Sequence, residues 1–198
     1  MKFWERMAVR GQQELYYYDT HRGFDAGALA AQLYEMILDE LHKGKKGVVF
    51  LCIGTDRSTG DSLGPLIGYK LKGRHSGDFQ VFGTLERPVH AMNLEEYIHF
   101  LKESYPEHTI VAIDASVGKS DHVGYVTLGR GALKPGLGVS KELGAVGDIF
   151  ITGIVGGCGT YDPLMLQSVR LAVVMRLADC ISESIFLVDK LCAKAAAI

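Results

Sequence analysis

The chain has 198 residues, with 21 Lys and Arg against 23 Asp and Glu, a formal charge of −2. Apolar residues make up 47% and charged residues 22%, which excludes a disordered tail, a collagen-like fibre and a nucleic-acid binder that works by charge alone. A chain this long reads as one domain that can bury a core without staples.

Cys52, Cys158, Cys180 and Cys192 form no Cys-x-x-Cys pair, and Cys52, Cys180 and Cys192 have apolar flanks. Small buried thiols in a reducing compartment are expected, not a disulfide framework. The opening Met1-Lys-Phe-Trp-Glu-Arg-Met7 carries charge where a signal peptide needs an apolar stretch. No run approaches the roughly 18 apolar residues that span a bilayer. The expected setting is the cytoplasm, with neither membrane nor nucleic acid as partner.

Residues 1–23 hold the Tyr16-Tyr17-Tyr18 cluster without a clear period and read as an N-terminal arm packed on the body, residues 24–198. A helix is predicted from Asp25 to Lys43, with Leu29, Leu33, Met36, Ile37 and Leu41 on one face. Gly47–Gly54 is a continuous apolar run, the mark of a strand buried on both faces. A polar loop leads to a helix at Ser62–Leu71, and Phe79–Phe82 is a short strand. Asn93 and Glu96 have the spacing of a capping box and open a helix that Pro106 ends. Strands follow at Thr109–Ile113, Val123–Leu128 and Ile149–Val155, with a Gly-rich loop at Gly129–Gly138. Asp162-Pro163 caps a long helix running to about Val188. Buried strands alternating with helices define an α/β fold with a mainly parallel sheet covered on both sides.

In such sheets the ligand crevice lies beyond the carboxyl ends of the strands. That rule selects Gly54-Thr-Asp-Arg-Ser-Thr-Gly-Asp61-Ser-Leu-Gly-Pro65 and Ile113-Asp114-Ala-Ser-Val-Gly118. Two carboxylates on one crevice can share a proton, activate a water and protonate a leaving amine. Each acid also has a structural role open to it. Asp61 stands where a helix N-cap would, and Asp114 can tie down the next loop through backbone N–H groups. Asp56 and Arg57 can form a surface ion pair. The first loop lacks the Lys of a phosphate-binding loop and the spacing of a dinucleotide fingerprint. Ser58, Ser62 and Ser116 lie near the crevice without a nucleophile elbow. Cys158 falls after a late strand as a candidate catalytic thiol. His90, in Arg87-Pro-Val-His-Ala-Met-Asn93, falls on the same side of the sheet and gives a divalent-metal alternative with Asp61 and Asp114.

The first motif, with Pro88-Val-His-Ala-Met-Asn-Leu94, Ala112-Ile-Asp-Ala115, Lys134-Pro-Gly-Leu-Gly-Val139 and Thr152-Gly-Ile-Val155 in that order, resembles the YyaC family of sporulation proteins from spore-forming Firmicutes. The resemblance covers residues 45–190. That family is similar to the germination protease and to the hydrogenase maturation endopeptidases. The implied fold is their three-layer α/β/α sandwich. The aspartates tied to catalysis in the germination protease fall on Asp61 and Asp114, with Asp56, His90 and Asn93 as candidate supporting residues. In the hydrogenase enzymes the corresponding acids and a later histidine bind the nickel of the substrate. This chain has no histidine after His122, and Lys134 stands where the germination protease has His. The resemblance therefore implies an aspartic-type endopeptidase without a cofactor. Its substrates would be spore proteins such as the small acid-soluble ones, in the mother cell or forespore. The alternatives are a non-catalytic spore-protein binder on the same scaffold and a hydrolase using nickel or zinc on Asp61, His90 and Asp114. Backbone N–H groups of the Gly-rich loops are expected to hold the oxyanion.

Overall fold

The computed structural model describes residues 14–73, 79–135, 144–157 and 163–196. Cys158, Asp162, residues 1–13 and residues 136–139 of the Lys134 motif lie outside them.

The elements run β1 (Leu15–Asp19), α1 (Ala26–His42), β2 (Gly47–Cys52), α2 (Leu63–Leu71), β3 (Phe79–Phe82), α3 (Leu94–Ser104), β4 (His108–Gly118), β5 (Tyr125–Arg130), β6 (Ile149–Gly157) and α4 (Leu171–Ala196). One six-stranded sheet has the order β1-β5-β6-β4-β2-β3. β3, β2, β4 and β6 are parallel, β5 is antiparallel to β6, and β1 is antiparallel to β5. The sheet is thus mixed and mostly parallel, with helices on both faces.

Alternation along β2 shows how the layers are built. Val48, Phe50 and Cys52 face the core shared with α1, α2 and α4, whereas Val49, Leu51 and Ile53 face the smaller core under α3. A strand apolar on both faces can only be interior, and β2 lies between β3 and β4. At the start of α1 the Asp25 carboxylate accepts a hydrogen bond from the Ala28 N–H at 3.0 Å. Asp25→Ala is expected to cost about 1 kcal/mol, the usual worth of an N-cap, read as a shifted urea midpoint at constant slope.

Three stretches differ from the sequence reading. Leu15–Asp19, within the segment read as an arm, is an edge strand paired with β5, and Tyr18 is buried. Three consecutive tyrosines hide the polar–apolar alternation that marks a strand. β4 continues past Asp114 to Gly118, held by its ladder with β6, with a bulge between Ser116 and Val117. The last helix starts only at Leu171, after a 3-10 turn at Pro163–Ser168. In that turn Leu166 is buried against Gly60, where a Cβ would fall 2.9 Å from its backbone oxygen. The turn is therefore pinned over the loop that carries Asp61 before the chain enters α4.

Candidate active site

The strand order fixes where a ligand can enter. From β2 the chain crosses through α2 to β3 on one side, then returns through α3 to β4 on the other side of β2. The two crossover helices lie on opposite faces, so their connections diverge at the carboxyl ends of β2 and β4 and leave a crevice there. The loop carrying Asp61 leaves β2 at this point, and Asp114, within β4, lies one residue beyond the level of Cys52, where β2 ends.

Asp61 sits inside a 3-10 turn, Gly60–Ser62, that runs straight into α2. The residue at the N-cap of α2 is Ser62, whose Oγ donates to the Thr59 carbonyl at 2.7 Å. Asp61 therefore does not cap the helix, and its carboxylate is free of that duty. Its backbone oxygen accepts the Thr55 N–H at 3.0 Å, folding the loop back on itself. Gly54, at φ +142°, permits this closure, since a Cβ there would lie 2.0 Å from the Asp61 oxygen. Burial raises the Asp61 pKa above the usual carboxylate range, and the Ser58 hydroxyl opposes the rise. The Ser58 Oγ itself is buried and closes no well-aligned hydrogen bond.

Asp114 is more strongly perturbed. Burial, with a smaller push from the Asp61 charge, raises its pKa to about 8 against a bond from the Ala115 N–H at 2.8 Å. The two acids are therefore within electrostatic reach of each other. The loop-tying role of Asp114 occupies one carboxylate oxygen, on its own neighbour.

A hydroxyl cluster flanks Asp114. Thr152 of β6 stands opposite it in register, and Thr127 of β5 stands opposite Thr152, so all three point to one face. Thr127 and Thr152 bring their hydroxyls to 2.6 Å, and the Ser116 hydroxyl donates to Thr152 at 3.1 Å. The sequence assigns no role to Thr127 or Thr152, although Thr152 opens the last of the motifs. The signal was present as lone hydroxyls inside apolar strands, but only the register shows that they share the face of Asp114.

The remaining candidates are held by local contacts or exposed. Val89 bridges to Ile53 and accepts the Gly54 N–H at 2.7 Å, which brings the 88–93 loop to the same end of the sheet. His90 Nδ1 accepts from the Met92 N–H at 3.3 Å, so the ring is engaged with its own turn. Asn93 occupies the N-cap position of α3 without capping it. Its side chain instead accepts from the His90 N–H at 2.8 Å and donates to the Pro88 carbonyl at 3.1 Å. Asp56 and Arg57 are exposed on their loop, and no ion pair joins them among the described residues. Among those residues, no three His, Cys, Asp or Glu side chains are placed to hold a metal ion. Asp61, His90 and Asp114 therefore do not form a metal-holding triad in this geometry. The N–H groups of Gly54 and Thr55 are already spent within the protein and are not available to an oxyanion. Cys52 is fully buried, with its thiol pKa pushed up to about 12.

The fold matches that of a solved hydrogenase maturation protease. The crystal structure of the NiFe hydrogenase maturation protease HycI from Thermococcus kodakarensis KOD1 superposes with a TM-score of 0.51. It is 18% identical in sequence, and the match covers 78% of this chain and 99% of that one. Likeness at this identity establishes the fold. The family described as "Protein of unknown function (DUF1256)" matches residues 24–184, and the chain belongs to it. A relative from Bacillus subtilis (strain 168), "Uncharacterized protein YyaC", is 42% identical over 180 residues, covering 90% of this chain and 86% of the relative. The resemblance read from the motifs is thereby established at the level of family. Among the described residues, no helix is long and apolar enough to cross a membrane.

Proposed function

We propose that the protein is an aspartic-type endopeptidase in which Asp61 and Asp114 act on one water. The observation that carries the reading is a pair of interacting, partly buried carboxylates at the reversal of strand order. With its pKa near 8, Asp114 holds a proton at neutral pH and serves as the acid. Asp61, less strongly shifted than Asp114, serves as the base.

Asp61 takes a proton from water as the water oxygen bonds to the scissile carbonyl carbon. The carbon–nitrogen bond then breaks, and the leaving nitrogen takes the proton from Asp114. Solvent exchange returns a proton to Asp114 and removes one from Asp61. Such division of labour between two carboxyl groups requires environments that separate their protonation states. The motif resemblance points to spore proteins as the substrate class, within the mother cell or forespore.

The test is incubation of the full-length protein with extracted small acid-soluble spore proteins at pH 7, followed by mass spectrometry. Discrete fragments are expected. Retention of spore proteins without fragments would favour the non-catalytic binder.

A chelator separates the metal-dependent alternative. Two carboxylates without a third ligand make a poor trap for nickel or zinc. Cleavage after dialysis against EDTA is therefore expected to stay within about twofold of the untreated rate. A loss that nickel or zinc restores would return the metal-dependent hydrolase.

A further inference from the structure

β3 is the last strand of the sheet, and among the described residues no strand pairs with its outer side. Along this edge runs a cavity of about 630 Å³. Phe82, Tyr97 and Phe100 line it on the side of α3; Lys72, Glu86 and Arg87 line it elsewhere. The three rings form one cluster, with Phe82 centred 6.2 Å from Tyr97 and 5.6 Å from Phe100. Phe100 nevertheless leaves 42% of its surface exposed. Lys72 and Glu86 are ion-paired with each other, so the polar rim is close to charge-balanced.

An edge strand presents main-chain N–H and C=O groups that only another extended chain satisfies in series. Side chains of an added strand would alternate between the aromatic cluster and the charged rim. The loop that begins in this cavity at Gly83 continues to Val89, beside Ile53 at the candidate active site. We infer that the β3 edge takes an extended polypeptide as a seventh strand, with every second side chain apolar and seated on Phe82, Tyr97 and Phe100.

A second copy of the chain fits less well. Four residues give an edge of only about 13 Å, too short by itself for the roughly 1,200 Å² that a stable dimer buries. A flexible segment can fill the cavity as well as pair with the edge. The inference rests on the proposed function only in taking the partner to be the polypeptide that is cut.

The experiment uses full-length protein carrying Asp114→Asn, so that no cleavage intervenes. The probe is the end-blocked heptapeptide Lys-Val-Glu-Leu-Lys-Val-Glu, with two versions N-methylated at opposite sets of alternate nitrogens. At saturating peptide, hydrogen exchange of the outward amides within 79–82 is expected to slow by at least about tenfold. Adding Phe100→Ser should weaken binding by about tenfold, since an exposed aromatic anchor is lost without disturbing the core. One N-methylated version should bind like the parent and the other should not, because only one edge of the peptide pairs. Absence of binding, binding without protection at 79–82, or equal binding by both methylated versions would overturn the inference. None of these readouts involves cleavage, so the peptidase reading fails or survives separately.

Discussion

Asp114→Asn is expected to slow cleavage of the spore-protein extract by at least about a thousandfold, some 4 kcal/mol of barrier, while leaving the fold intact. The amide keeps the shape of the carboxyl group and can still accept the Ala115 N–H that Asp114 binds at 2.8 Å. It cannot deliver a carboxylic proton to the leaving nitrogen. The same substitution carries a second, opposite signature in stability. The folded pKa of about 8 lies above the unfolded value of 3.8, so between them the folded protein holds a proton that the unfolded chain has released. That contribution to stability is fully present below the unfolded pKa and is lost as pH rises through the folded one. Asn does not titrate. Asp114→Asn should therefore gain stability relative to the wild type between pH 4 and 8, on the order of a few kcal/mol. Thermal melts at pH 5 and pH 8.5 read this as an increase in the Tm difference by several degrees. Equal cleavage by both proteins would remove Asp114 from the mechanism.

Gly64→Ala is expected to be among the most damaging single methyl additions in the site. A Cβ at Gly64 would lie 2.0 Å from the Ile53 carbonyl oxygen and 2.7 Å from its carbon. Both are backbone atoms at the end of a buried strand, so neither can rotate away. The helix must lift from β2, and α2 carries Leu63 and Ile67 into the core. A cost of about 3 kcal/mol is expected, at the upper end for overpacking. Because Asp61 lies one turn before Gly64, cleavage should fall together with stability. Chemical denaturation with an unchanged slope measures the first effect. A variant as stable as the wild type would mean that α2 sits farther from β2 than described.

The apolar runs at Gly47–Gly54 and Thr109–Ile113 were enough to identify interior strands, because only a strand covered on both faces is apolar at every position. The alternation of strands and helices likewise pointed to the crevice and to both acids as candidates, since the rule depends on chain order and strand ends. Duties within the crevice were not legible. Asp61 looked like a cap because Asp before a helix usually is one; the intervening 3-10 turn moves the cap to Ser62. Asn93 has a capping residue's identity and position, yet its amide is spent on His90 and Pro88. Thr127 and Thr152 became neighbours of Asp114 only through register, which no local pattern encodes. The antiparallel hairpin of β5 and β6 was likewise invisible, since a strand's direction is set by its partners.

The proposed mechanism requires Asp61 and Asp114 to act as one coupled pair. Carboxyl-carbon NMR titration of protein labelled at aspartate, wild type against Asp61→Asn, tests this most directly. The pair titrates as a unit, so the readout is its macroscopic upper step. The wild type is expected to show that step near pH 8, absent from Asp114→Asn, and Asp61→Asn should lower it because the like charge is gone. An Asp114 signal that titrates near 3.8, or one unmoved by Asp61→Asn, would contradict the pair.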